Sequence, residues 1–324
     1  MSGEMGDKKM KMIIDVDTGI DDAQAIMMAV SRQDVDVIGI TCVSGNVGID
    51  QVCVNTLRVL KFCNRLDIPV FKGAASPFIV EGSLSQARYH HGNDGLGDVP
   101  DISPVPPGPS LLQSQGAVQA LLELTNQHPG EITLVALAPL TNIALAVKLD
   151  AGFGRRLKHM VIMGGNIEGR GNVSSACAEF NFFSDPEGAY ITLRELGCPI
   201  SLVAWETCLH NALSWDWFDQ WKTTDTPKAR FNFCIIKNGV NRIRNVLKIL
   251  RYRSCDPVAM AVAVDSSLVL ESETMFCTVE LQGKVTRGQM VVDWQNSMGG
   301  IPNVTVVTKI DLERFAKLME TMLL

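Results

Sequence analysis

Met12-Ile13-Ile14-Asp15-Val16 runs straight into Asp17-Thr18-Gly19-Ile20-Asp21-Asp22, after which a helical pattern runs on to Ser31. A β-branched run, an acidic turn and a helix form the first half of a β-α-β unit. The alternation recurs down the chain. Val35–Val43 leads into Asp50–Asn64, Ile68–Phe71 is a third strand candidate, and Ile132–Ala136 precedes a helix near Leu140–Lys148. Met160–Met163 and Ile200–Ala204 continue the series, with the helix Pro186–Leu196 between them. The strand candidates are almost continuously apolar, as they must be when both faces of a parallel sheet are covered. The fold class that follows is α/β, with a mostly parallel, doubly wound, Rossmann-like sheet flanked by helices. After Asp265 the pattern changes to extended segments (Thr274–Leu281, Met290–Trp294, Val304–Thr308) and a closing helix from Leu312, so extra C-terminal strands are expected. No internal repeat or linker divides the chain, and residues 1–324 are expected to form a single domain. Ligands of such sheets bind beyond the carboxyl ends of the strands, which directs attention to the residues just after each one.

Composition narrows the field. Of 324 residues 46% are hydrophobic and 20% charged, which excludes a disordered chain, a collagen and a coiled coil. The net charge is −6, and no basic block extends beyond Lys8–Lys11, so neither nucleic acid nor an anionic membrane is an expected partner. The amino terminus lacks the apolar core of a secretory signal, and no apolar run reaches the ~18 residues of a membrane span. The best candidate, Leu134 to Val147, is interrupted by Pro139, Thr141 and Asn142. Nine cysteines, an odd number without zinc-type spacing, point to reduced thiols and a cytoplasmic location.

The densest chemical signal is the run from Asp15 to Asp22, with four carboxylates in eight residues. They repel one another unless something positive sits among them, and Ca²⁺ or Mg²⁺ is the natural neutraliser. Helix capping explains one or two of these aspartates but not Asp15 and Asp17 at a strand end. Asp256, in Ser254-Cys255-Asp256-Pro257, is an ordinary N-cap when taken alone. Combined with the first cluster, it could close a metal site from the far end of the chain. Met163-Gly164-Gly165, Asn172 and Glu179-Phe180-Asn181 follow another strand, and Gly45-Asn46 repeats the theme. Glycines admit a ligand to the backbone, while carboxamides and carboxylates bracket vicinal hydroxyls. His91 lies on a long loop spanning 74–112, a length that points to function or mobility, and is a candidate proton donor or polar contact. A long basic helix is expected from Lys228 to Arg253. Trp205, Trp215, Trp217 and Trp221 are candidates to stack on a base, although aromatic helix residues are more often core.

The ordered set formed by Asp15–Asp22, Gly45-Asn46, His91-Gly92, Leu140-Thr141-Asn142, Met163-Gly164-Gly165, Glu179-Phe180-Asn181 and Asp256-Pro257 resembles the inosine–uridine-preferring nucleoside hydrolases. Thr18 stands where that family usually has proline. The resemblance implies hydrolysis of the N-glycosidic bond of ribonucleosides to free base and ribose. It implies a Ca²⁺ ion held by Asp17, Asp22, Asp256 and a backbone carbonyl at about Leu137. Asp17 would also take a proton from a water whose acidity the ion raises. Asp21, Asn46, Asn172, Glu179, Phe180 and Asn181 would line the substrate, with Met163 beside the sugar, favouring an oxocarbenium-like transition state. By analogy the assembly is a homodimer or homotetramer.

One departure stands out. Cys255 occupies the place where well-studied members have the histidine usually credited with protonating the departing base, which leaves Cys255, His91 or solvent for that task. Two other readings compete. A nucleoside- or ribose-binding protein with weak catalysis would explain Cys255 but not a complete metal set. A phosphatase with Asp15 as nucleophile and Asp17 as acid/base would need a threonine where Gly19 stands.

Overall fold

In the computed structural model, which describes residues 9–80, 87–99, 108–174 and 176–324, the chain alternates strand and helix from its first element. The amino-terminal half comprises β1 (Met10–Val16), α1 (Ile20–Ser31), β2 (Val35–Cys42), α2 (Ile49–Phe62), β3 (Val70–Lys72), α3 (Arg88–His91) and α4 (Ala117–Gln127). Next come β4 (Ile132–Ala136), α5 (Thr141–Leu149), β5 (Leu157–Met163), α6 (Phe180–Ser184), α7 (Pro186–Glu195), β6 (Ile200–Val203) and α8 (Trp205–His210). The remainder is β7 (Leu213–Ser214), α9 (Trp215–Trp221), α10 (Pro227–Asn241), β8 (Arg251–Tyr252), α11 (Cys255–Val264), β9 (Val269–Met275), β10 (Cys277–Val279), β11 (Met290–Val292), β12 (Val304–Ile310) and α12 (Leu312–Thr321). Parts of the 74–112 loop, residues 81–86 and 100–107, lie outside the described residues, as does Lys8.

The central sheet has the order β3-β2-β1-β4-β5-β6-β12-β9. All its pairings are parallel except that of β9, which runs antiparallel to β12 at the edge. The strand order reverses between β1 and β4, and a crevice opens at their carboxyl ends because successive crossovers leave to opposite faces. Asp17 and Leu137 stand at that crevice, each just past its strand. The extra C-terminal strands divide between this sheet and a small antiparallel pair, β10 with β11.

Two helices carry the site. α1 is buried along most of its length. α11, Cys-Asp-Pro-Val-Ala-Met-Ala-Val-Ala-Val, is buried at every position. A helix apolar all round has no face for water, so the core takes it whole. α11 packs against α1, with small residues on both helices allowing close approach. That packing brings residue 256 to the end of the sheet where residues 17–22 lie.

The expected helix from Lys228 to Arg253 is shorter than its composition suggests. α10 ends at Asn241, a wide π-turn covers Arg242–Val246, and Lys248 adopts a left-handed backbone with φ of 54°. Arg251 and Tyr252 then pair with Ser214 and Leu213 as a short strand. Trp215, Trp217 and Trp221 belong to an aromatic cluster with Phe218 and Tyr252, and their indole nitrogens bond Ile249, Glu320 and Met319. Those three pack in or against the core, and of the four tryptophans singled out only Trp205 lines the cavity described below.

Candidate active site

The acidic turn is locked by its own backbone. Asp22, in the first turn of α1, accepts from the Gly19 amide at 2.9 Å and the Asp17 amide at 3.3 Å. One Asp22 carboxylate therefore caps the helix and remains available to a ligand. Asp17 accepts from the Asn46 amide at 2.7 Å through Oδ2, while its Oδ1 is buried without a partner. The contact explains Gly45: a Cβ there would lie 2.0 Å from Asp17 Oδ2. Gly19 is equally confined, with His91 Nδ1 2.4 Å from where its Cβ would be.

Asp256, in the first turn of α11 rather than at its cap, completes the group. Carboxylate oxygens of Asp21, Asp22 and Asp256 lie within 4.8 Å of one another. Burial, followed by the Asp22 charge, drives the Asp17 carboxyl well above its usual range. Burial and then the Asp21 charge push Asp22 up to about 7. Asp256 is raised by burial and by Asp21, Asp22 and Asp17 in turn. Buried carboxyls so close cannot all stay ionised without a cation. The donor set is all oxygen and Asp17 Oδ1 lacks a partner, so these residues fit a hard divalent cation.

Asp15 plays another part. It accepts from Thr41 Oγ1 at 2.5 Å and from Asn142 Nδ2 at 2.8 Å. Asn142 in turn bonds the Cys42 carbonyl and the Ala74 amide, tying β1 to β2 and to the loop after β3. Asp15 is thus structural and absent from the cavity wall, contrary to the expectation that it faces a ligand. A phosphatase with Asp15 as nucleophile loses its nucleophile on this geometry.

A cavity of about 280 Å³ opens above the acidic cluster. Asp17, Asp21, Asn46, His91, Leu137 and Met163 line it, as do Asn172, Glu179, Phe180, Asn181, Cys255 and Asp256. Asp22 lies beneath. Glu179 caps α6 and accepts from the amides of Gly165, Asn181 and Phe182, while burial pushes its carboxyl up to about 7. Asn181 Nδ2 bonds the carbonyls of Leu137 (3.0 Å) and Met163 (3.1 Å), fixing the ends of β4 and β5 together. Asn172 Oδ1 is buried without a partner.

His91 accepts a hydrogen bond at Nδ1 from the Ile20 amide, 3.0 Å away. Burial and the neighbouring His90 hold the ring neutral, with a pKa pushed down to about 3. The tautomer is therefore Nε2–H, and the ring is no ready proton donor at neutral pH. The Cys255 thiol is raised by its hydrogen bond with Cys208 and then by burial. The sequence reading missed Gln24, which lines the cavity and whose side chain joins Asn232, Tyr252 and Ser254. Its place three residues past Asp21, on one face of α1, was the available signal. It also missed Tyr89, Arg242 and Arg253 on the wall.

Residues 12–317 match the family described as inosine-uridine preferring nucleoside hydrolase. The chain belongs to this family. It is 32% identical over 311 residues to the inosine-uridine preferring nucleoside hydrolase of Crithidia fasciculata, covering 94% of each chain. To a probable uridine nucleosidase 2 of Arabidopsis thaliana it is 42% identical over 200 residues, and that match spans 59% of the plant protein and 62% of this chain. A solved plant nucleoside hydrolase superposes with a TM-score of 0.88 at 33% identity, covering 97% of this chain and 98% of that one.

Two outcomes test this geometry. Gly45→Ala, which drives a methyl into the Asp17 carboxylate, should leave the circular dichroism spectrum intact but weaken divalent-cation binding at least tenfold by calorimetry. Undiminished affinity would remove the constraint assigned to Gly45. The second outcome is a pH dependence. The unfolded chain releases the Asp22 proton near its ordinary value of 3.8, whereas the cation-free fold holds it to about 7. The folded state then binds more protons, so its stability is greatest in acid and declines as pH rises through about 7. The Tm of chelated protein should therefore fall from pH 5 to 8, and added divalent cation should flatten the profile. A chelated Tm that rises over this range would contradict the assignment.

Proposed function

We propose that this member of the nucleoside hydrolase family splits the N-glycosidic bond of ribonucleosides to free base and ribose, with Ca²⁺ as its cofactor. The observation that carries the reading is the meeting of Asp21 and Asp22, from the first strand-to-helix turn, with Asp256, more than two hundred residues later, at a cavity that Asp17 also lines. Asp17, Asp22, Asp256 and the Leu137 carbonyl would hold the ion. When bound, a divalent cation makes a water more acidic and binds a vicinal diol. Ca²⁺, which tolerates irregular oxygen coordination, suits this all-oxygen set better than Mg²⁺, which demands near-ideal octahedral geometry.

The chain's own groups then have separate tasks. Asp17, with an unpartnered oxygen, takes the proton of the attacking water. Asp21, Asn46, Asn172, Glu179 and Asn181 bracket the ribose hydroxyls, and Met163 and Phe180 cover its apolar face. Asn172 Oδ1, buried and unbonded, gains an acceptor's role only when a hydroxyl arrives. Fixed carboxylates around the sugar stabilise positive charge as it develops at C1′. Help for the leaving base falls to His91, Cys255 or another group of the wall. A pure binding protein would gain nothing from a water-directed carboxylate at Asp17.

Nine unpaired cysteines suit a reducing compartment, and we infer a cytoplasmic site of action. Among the described residues no helix is long and apolar enough to cross a membrane. Strands from both ends of the chain share one sheet, which favours a single domain over 1–324. Exposed Trp294 (62%) and Ile301 (85%) on one loop favour a homodimer or homotetramer, which light scattering would measure.

A reducing-sugar assay over purine and pyrimidine ribonucleosides tests the activity, and no release of ribose from any of them would refute it. Asp17→Asn should lower kcat by about 10²–10⁴, the usual cost of losing a general base, even with the metal site filled. Near-parental turnover would move the base elsewhere. Uridine should be preferred to 2′-deoxyuridine by ~10⁴ in kcat/KM, because a site built around a hydroxyl is left with unpaired groups by its absence. Similar values for the two would exclude a ribose bracketed by Asp21 and the cation.

A further inference from the structure

The cavity wall holds positive charge that its own carboxylates do not claim. Arg242 and Arg253 both line the cavity. Neither makes an ion pair with any described residue, unlike Arg244, which is paired bidentately with Asp219. The Arg242 guanidinium sits 5.4 Å over the ring of Tyr89, itself on the wall and bonded through its hydroxyl to the Asn172 carbonyl. The Arg253 Nε is buried without an acceptor, and the residue is half-buried two positions before Cys255. The cavity is therefore electrically divided, with acidic groups at the strand ends and two unneutralised guanidiniums on the wall built by the end of α10 and by β8.

The proton-bearing groups of the same wall are already committed or poorly suited to acid catalysis: the Tyr89 hydroxyl donates to the Asn172 carbonyl, the Tyr252 hydroxyl donates to Gln24, and burial lowers the pKa of His90. His91 uses Nδ1 as an acceptor for the Ile20 amide and so is not an imidazolium. Cys255, also on the wall, is a thiol and a weak acid beside nitrogen chemistry. Breaking the N-glycosidic bond sends its electron pair to the base nitrogen. If no acid delivers a proton, the base leaves as an anion, and that charge must be met by fixed positive groups.

We propose that Arg242 and Arg253 activate the leaving group by holding the departing base as its anion, in place of a general acid. The inference rests on the nucleoside hydrolase reading above. The balance is simple: water oxygen bonds to C1′, one water proton goes to Asp17, the C1′–N electron pair leaves with the base, and the base anion takes a proton from solvent after release. Guanidinium charge is present at every pH of interest and needs no reprotonation between turnovers. Because the negative charge exists only as the bond breaks, the arginines act on kcat more than on KM.

The test compares leaving groups. Wild-type protein is assayed on uridine, inosine, 5-fluorouridine (whose base is the stronger acid) and p-nitrophenyl riboside, whose leaving group needs least help. Wild type should turn over 5-fluorouridine distinctly faster than uridine, since anion departure is sensitive to leaving-group acidity; equal rates with chemistry limiting would overturn the proposal without any variant being made. R242Q/R253Q should lose on the order of 10²-fold or more in kcat on uridine and inosine, the usual loss for one fixed charge-stabilising donor, with a far smaller fall on p-nitrophenyl riboside. R242K/R253K, which keeps the charge, should recover part of that loss. A fall of equal size on all substrates, or none, would overturn the proposal and mark both arginines as structural. Wild type that releases ribose from no substrate, p-nitrophenyl riboside included, would instead refute the hydrolase reading itself.

Discussion

Repulsion between buried carboxylates, unrelieved by a side-chain cation among the described residues, is the constraint on which the site is built. Two like charges 4.8 Å apart repel by about 3.5 kcal/mol at an effective dielectric of ~20. The amino termini of α1 and α11, which carry Asp22 and Asp256 in their first turns, offset little of this. A helix terminus contributes ~0.3–1 kcal/mol and at most ~2. Backbone amides from Gly19, Asp17 and Asn46 add hydrogen bonds but no net charge. The shortfall is resolved by protons, which the raised pKa values of Asp17, Asp22 and Asp256 describe, or by a divalent cation. The crowding therefore costs the fold stability that a bound cation would return.

The rest of the architecture can be read as what makes that crowding possible. β1 and β4 part at the reversal of strand order, giving Asp17 and Leu137 a common crevice. α11 is apolar on all sides so that it can lie in the core against α1 and deliver Asp256. Gly19 and Gly45 are small because His91 and Asp17 stand where their side chains would be. Behind the cluster, Asp15 accepts from Thr41 and Asn142 through Oδ1, fastening β1 to its neighbours so that Asp17 is held from the rear.

What was legible in the sequence is what chain-local physics controls. β-branched runs and the alternation of strand with helix gave the parallel sheet, and the acidic turn at the end of β1 stood out because its residues are adjacent. The end of α10 is hard to see in Lys228–Arg253 because its one glycine, Gly239, lies inside the helix and does not stop it; a π-turn and a left-handed Lys248 end it. Asp15 was misassigned because sequence cannot tell which carboxylate at a strand end turns to a neighbouring strand. Trp215, Trp217 and Trp221 were ambiguous because an aromatic run serves a core and a base platform equally well. Arg242 and Arg253 were lost within a basic stretch, where a paired arginine and an unpaired one look alike until Asp219 is seen to claim Arg244.

That distinction between claimed and unclaimed charge separates scaffold from site throughout the molecule. Lys148 pairs with Glu195, Arg156 with Asp150 and Arg287 with Glu187, each between neighbouring segments of the fold. Most such exposed pairs contribute little, and they leave no charge for a ligand. Around the cavity the pattern among the described residues is reversed: carboxylates gather without a side-chain cation, and guanidiniums line the same cavity without a carboxylate partner. Folding alone would favour bringing those opposite charges together. Keeping them apart costs stability, and on the proposed reaction a cation at the acidic end and a polarising bond across the space between, positive at C1′ and negative on the base, would recover it.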